Sequence, residues 1–441
     1  MRGKRITRHR GRFALAVVLS TALAAATACA GDGGKQAGGS EKITLTVDDF
    51  GTFGYQDLYK QYEAQHPNIK ISERNVPKLD DYTPRLQQWI AAGAGAGDVV
   101  AIEEGIIVKF KSQPDKFVDL KKYGASSLQG DFIPWKWQGG MSPDGSKLIG
   151  LGTDVGSMAL CYRRDLFKKA GLPSDRDAVT KLWPTWDDFI ATGKRFTASV
   201  GGDTKFIDSP ETYYNTILMQ EAGKGANQTY FDSGNKFVME SNPAVKAAWD
   251  ETVKMSEAGL ANGVQFLSDP WSQALKKDAF ATAPCPAWML GLIKQFGGAG
   301  QSGKWDVAGV PGGGGSWGGS WLAVPTQSKH PKEAADLVKF LTSPQGQIGA
   351  FKAANNLPSS PKALNDPAVK AFANPYFNNA PVGAIYGPAA TSLKPVYLGA
   401  DNQEVRQAVE ADLRAIAQGK LSPGSGWGKA VSDAKKAAGT G

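Results

Sequence analysis

The sequence predicts an α/β protein built as two lobes, and three observations carry that prediction. Segments of strand periodicity alternate with segments of helix periodicity along most of the chain. A length of 441 residues exceeds what one hydrophobic core usually covers and suits two domains of ordinary size. No internal repeat and no linker separates independent modules, so the chain is expected to cross between the lobes more than once.

The chain begins with a basic head of Arg2, Lys4, Arg5, Arg8, Arg10 and Arg12, then an apolar run from Phe13 to Ala28. That run is too short and alanine-rich for a membrane span and reads as a secretory signal, residues 1–28. Ala26-Thr27-Ala28 lead directly to Cys29, and a Gly/Ser-rich stretch follows to Ser40. The arrangement resembles the lipobox of bacterial lipoproteins, with Ala26 where leucine is usual. It implies lipidation of Cys29 and a tether over 29–40. Lys and Arg total 50 against 42 Asp and Glu, a net charge of +8; without the six cations of the head the balance is 44 to 42, or +2. The basic character therefore belongs mainly to the export signal, and no nucleic-acid partner is expected.

Beyond the tether, "KITLTVDDF" alternates as a strand and "GTFGYQ" is a loop. "DLYKQYEAQHP" is a helix with Leu58 and Tyr62 on one face, stopped by Pro67. "IKISERNV" gives a second strand, "YTPRLQQWIAAGAGAG" a helix presenting Leu86, Trp89 and Ile90, and "DVVAIEEG" a buried third strand. This strand–helix alternation predicts a parallel sheet. Further on, "SMALCYRRDLFKKAGLP" is a strand leading into a short helix. "WPTWDDFIATGKRF" starts a helix at Thr185, with Asp188 three residues on as an aspartate version of the capping box. "NPAVKAAWDETVKMSEAGL" is a long amphipathic helix closed by Gly259. "KHPKEAADLVKFLTSPQGQIGAF" gives two helices divided at Ser343-Pro344, and "EVRQAVEADLRAIAQGK" is expected to be the final helix.

Cys161 and Cys285 lie in short apolar runs, where an oxidising exterior permits either a bridge or two free thiols. There is no CxxC, and only His66 and His330 lie beyond the head, so neither a metal nor a cofactor is expected.

In their order, "DDFGTFGYQDLYKQYEAQHP", "GDVVAIEEG", "DVGSMALCYRRDLFKKAGLP" with "WPTWDDF", "CPAWMLG" and "WGGSWLAVPTQSKHPKEAADLVKFLTSPQGQ" span nearly all of the exported chain. Together they resemble the extracellular solute-binding proteins of ABC importers, in the branch that takes up maltose, cellobiose and other oligosaccharides. The resemblance implies a periplasmic-binding-protein-like fold: two α/β lobes, a multi-crossing hinge and an interlobe cleft. It places 41–157 plus 318–357 in the amino-terminal lobe and 158–317 plus 358–441 in the other. It implies a sugar as ligand, cellobiose-like favoured, and the subunits of an ABC permease as partner. A monomer is expected, held at the outer face of the cytoplasmic membrane by its lipid alone.

A sugar ring presents polarised C–H faces and a rim of hydroxyls, so its site needs aromatic platforms and carboxylates or amides. Among twelve tryptophans, Trp271, Trp288, Trp317 and Trp321 sit in loops beside glycine or proline and are the candidate platforms. Trp89, Trp186 and Trp249 fall on amphipathic helices and are assigned to the core. Asp154 matches a position where the resembled family often has a cleft carboxylate. Glu103 and Glu104 end a strand, Phe53 and Tyr55 lie in the first strand-to-helix loop, and Tyr213 and Asn215 are weaker candidates. The rival is a secreted glycoside hydrolase, which would need two carboxylates such as Glu103 and Asp154 across the scissile bond. The chain shows no (β/α)₈ rhythm, no Gly-x-Ser-x-Gly elbow and no histidine placed for a triad, so no catalytic residue is expected. In "GVPGGGGSWGGSWLAVP", Gly313, Gly315 and Gly318 satisfy G-x-G-x-x-G, but a strand rather than a helix follows, which excludes a dinucleotide loop. The stretch is expected to be a crossover between lobes and part of the cleft wall, with Trp317 or Trp321 offering a face.

Overall fold

A computed structural model describes residues 41–440. The signal, Cys29 and the tether lie outside the described residues.

The first sheet begins as the periodicity predicts. Strand β1 (Ile43–Phe50), helix α1 (Gln56–Gln65), β2 (Ile69–Val76), α2 (Leu79–Ala92), β3 (Val99–Glu103) and α3 (Glu104–Lys111) follow in order. Strand β1 runs parallel to both β2 and β3. In this sheet the expectation of parallel pairing holds for these three strands only. After helix α4 (Pro134–Gly139) comes the short β4 (Gly150–Gly152), and β9 (Ser320–Ala323) inserts antiparallel between β3 and β4. The sheet order is therefore β2-β1-β3-β9-β4. Alternation along the strands separates two layers. Leu45, Val47, Val99 and Ala101 pack toward α1 and the Pro331–Leu341 helix, while Val100 and Ile102 pack toward α2 and α3.

The second sheet, in the order β6-β7-β5-β8, comprises β5 (Leu160–Arg163), β6 (Lys205–Ile207), β7 (Phe280–Pro284) and β8 (Trp305–Ala308). Leu160 and Tyr162 face a core with Phe189, Phe206 and Tyr213, and Cys161, Trp305 and Val307 face another with Trp271 and Ile293. Cys161 and Cys285 are joined by a disulfide across β5 and the end of β7, with their α-carbons 5.4 Å apart.

Helix caps follow the local chemistry. The Thr185 side chain accepts from the Asp188 amide, and the Asp188 carboxylate accepts from the Thr185 amide, closing the capping box. Ser343 caps the helix Pro344–Ala354 and so divides it from its neighbour. Two expectations are corrected. The Asn402–Ala417 helix is not the last, because Ser422 caps a further helix, Pro423–Ala437. Trp89 stands at the edge of a core rather than within it: half-buried, it packs against the core of Tyr82, Leu86 and Ile90, with the Arg74 guanidinium 5.0 Å from its ring centroid.

Three segments cross side by side between the sheets. The middle one is 153–157. Val155 N–H donates to Leu357 at 2.9 Å on one side, and Trp317 N–H donates to Gly156 at 2.8 Å on the other. The close approach requires glycine at 156, where a methyl group would stand 1.9 Å from the Trp317 carbonyl oxygen.

Candidate functional site

Beside these crossings, between the two sheets, lies a cavity of about 330 Å³. Its walls come from both lobes, and strand geometry explains why. Strand β1 ends at Phe50 and β3 at Glu103, so the loop after β1 and the direct β3–α3 junction open into the cavity at the carboxyl ends of the strands, as in other open α/β sheets. Phe50 and Phe53 meet edge to face at 5.4 Å on this side. On the other side Trp288 and Trp317 are 5.4 Å apart at 77°, and Phe266 lies 5.9 Å from Trp317. The Trp288 indole N–H donates to the Trp317 carbonyl at 2.8 Å, which fixes both rings against the crossover.

Glu103 and Asp154 supply the polar floor. Glu103 is the N-cap of α3, and its Oε2 accepts from the Gly105 amide at 2.6 Å. Asp154 Oδ1 accepts from Thr153 Oγ1 at 2.6 Å and from the Ser320 amide at 2.9 Å, so one oxygen of each carboxylate is committed to the frame. Burial pushes both carboxyls above their ordinary range; the Arg406 guanidinium and, after it, Lys136 pull Glu103 back, and the Lys136 ammonium pulls Asp154 back. The Glu104 carboxyl is pushed up further, to about 8, again by burial first.

Phe53, Glu103, Asp154, Trp288 and Trp317 thus line one cavity. Tyr55, Trp271 and Trp321 are not among its walls. Tyr55 precedes α1 and packs inward at 1 % exposure. Trp271 stands on a helix, Asp269–Lys276, rather than in a loop. There its indole N–H donates to Asp208 at 3.0 Å, with the ring stacked on Phe280. Trp321 lies on β9 with its N–H donating to the Lys136 carbonyl at 2.9 Å. Trp317 and Trp321 part company because Gly318 and Gly319, at φ +80° and +114°, turn the backbone between them. Tyr213 is buried against Thr282, and Asn215 donates to Glu410 behind the cavity wall.

Several walls were not anticipated. The Gln265–Ser268 loop faces the loop around Lys78, and Arg406 and Glu410 reach in from the Asn402–Ala417 helix. Asn356, on the third crossing, donates to the Thr52 and Phe53 carbonyls and so holds the first loop. The available signal was the mixed face of that late helix: Gln403, Arg406 and Glu410 recur at helical spacing among its apolar residues. No cluster of His, Cys, Asp and Glu fit for a metal occurs among the described residues. Nor is any described helix long and apolar enough to cross a membrane.

Residues 57–376 match the sequence model of a family described as bacterial extracellular solute-binding protein. The arabinooligosaccharide-binding protein of Bacillus subtilis is 23% identical over 328 residues, which is 69% of this chain and 70% of that protein. A crystal structure described as an extracellular solute-binding protein of family 1 is 41% identical, covers 90% of this chain and 100% of its own, and superposes with a TM-score of 0.77. The ABC transporter-associated binding protein of Bifidobacterium animalis subsp. lactis, solved with β-1,6-galactobiose, has a TM-score of 0.75 at 21% identity. It covers 91% of this chain and 99% of its own.

Proposed function

The chain belongs to the family of bacterial extracellular solute-binding proteins, and on that premise we propose that it captures a di- or oligosaccharide and delivers it to an ABC permease. The observation that carries this reading is the convergence, in one interlobe cavity, of aromatic faces from both lobes with two half-committed carboxylates. Stacking serves the C–H faces of a sugar and the carboxylates accept from its hydroxyls. The names of the relatives point the same way, since one binds arabinooligosaccharides and another was solved with a galactobiose. Cellobiose remains the favoured ligand from the sequence resemblance.

Capture works by population shift. A ligand that touches both lobes only when they are closed stabilises the closed form, which then docks on the permease. The moving bodies are 41–157 plus 318–357 and 158–317 plus 358–441, a division supported by the three crossings at 153–157, 316–320 and 356–358. We expect cellobiose, maltose, arabinobiose or β-1,6-galactobiose to raise the melting temperature, and Trp288→Ala to remove most of the shift. No shift and no change in tryptophan fluorescence with any of them would overturn the sugar reading. Chromatography of the same mixtures should recover the sugars intact; released monosaccharide would instead support the hydrolase. Lipidation at Cys29 predicts that the wild-type chain fractionates with membranes and Cys29→Ser is released, and equal partitioning of the two would refute it.

A further inference from the structure

Lys136 lies on α4 with its side chain wholly buried, and its Nζ has no hydrogen-bond partner among the described residues. A buried ammonium without hydrogen bonds is costly unless opposite charge stands close. Here the nitrogen lies 3.5 Å from the centroid of the Trp321 ring, in cation–π geometry, with the Trp135 ring at 5.7 Å. The ionisable groups acting on it are Asp154 on the central crossing, then Glu104 and Glu103 at the junction of β3 with α3. Arg406 acts on Glu103 from the other lobe but is engaged with Asp80 and Glu410. For Asp154, the cation that acts on its carboxyl is Lys136. The crossover is cut to fit this lysine: a methyl group on Gly319 would stand 2.9 Å from Nζ, and Gly319 itself lines the cavity.

We infer that Lys136 is the buried counter-ion of Asp154 in the cleft, a positioning residue that keeps this carboxylate ionised and turned toward the solute as a hydrogen-bond acceptor. The inference rests on the sugar-binding reading for its consequence, though not for its electrostatics. Burial lowers the Lys136 ammonium to about 8. The positive charge is therefore present at neutral pH and lost as the pH rises through that value. Above it, three carboxyl groups face one another around a neutral amine.

The test has two arms, run on the full exported chain. Carboxyl ¹³C signals of labelled aspartate, assigned with Asp154→Asn, are followed against pH without ligand. We expect the Asp154 midpoint to rise by at least about one pH unit in Lys136→Met. The wild-type signal should show a second inflection as Lys136 titrates. Affinities for cellobiose and β-1,6-galactobiose are then measured from pH 6 to pH 9.5. We expect wild-type affinity to fall several-fold on the alkaline side, and Lys136→Met to bind about tenfold more weakly at pH 7 with no alkaline fall. An unmoved Asp154 midpoint overturns the inference, and so does an identical affinity profile in the two proteins. If the midpoint moves but neither sugar binds the wild type, the sugar reading fails and the counter-ion stands. If Lys136→Met does not fold, the wild-type signal decides, and the absence of its second inflection overturns the inference.

Discussion

Leu267 is a branched residue held at φ +58°, in the left-handed region that ordinarily costs such a side chain about 1–2 kcal/mol. It lines the cavity, half-buried, where its loop faces Lys78 and Leu79. Strain kept at a cavity wall points to a role in holding what the cavity holds. We expect Leu267→Gly to leave the melting temperature of the empty protein nearly unchanged, because relief of strain offsets lost packing. Sugar affinity should fall about tenfold. A clear drop in melting temperature with unaltered affinity would show an ordinary packing residue instead. At this scale the sequence was only partly legible. Glu103 and Trp317 could be found because one ends a strand and the other sits among glycines. Trp271 and Trp321 carried the same local signature and went into cores. Proline begins a helix as readily as it marks a loop, and a Gly-Gly pair does not say which neighbouring ring it turns inward.

Among the elements, the helices were the most legible, since amphipathic period and caps are local properties. What period could not disclose is the task of their polar faces. Helix α3 and the Asn402–Ala417 helix, assigned to different lobes in the division proposed above, meet along the cleft. Lys109 contacts Glu404 at 2.6 Å and Asp401 at 3.2 Å, and Gln403 donates to Asp80 on α2. These pairs tie α2 and α3 to the Asn402–Ala417 helix across the cleft, and we expect them to favour closure. Partly exposed ion pairs contribute only about 0.2–1 kcal/mol each, and salt screens them. Glu404→Ala should therefore open the unliganded protein modestly, read as a larger radius of gyration in small-angle scattering at low salt. The difference should fade at high salt. A radius that does not change in Glu404→Ala would show that the contact does not bias closure.

For the whole molecule, alternation of strands and helices was enough to announce two α/β lobes, and the glycine-rich crossover was visible as a strand entry. The antiparallel seam was not, because pairing across more than 150 residues leaves no local trace. Residues 153–319 intervene between β4 and β9, and β9 is the strand that joins β3 to β4. The amino-terminal sheet is thus left with a gap in its middle until nearly three-quarters of the chain exists. Contacts so distant in sequence form slowly. For a chain exported as its sequence predicts, such a delay would be useful: the first lobe would stay incomplete while its missing strand is still being made.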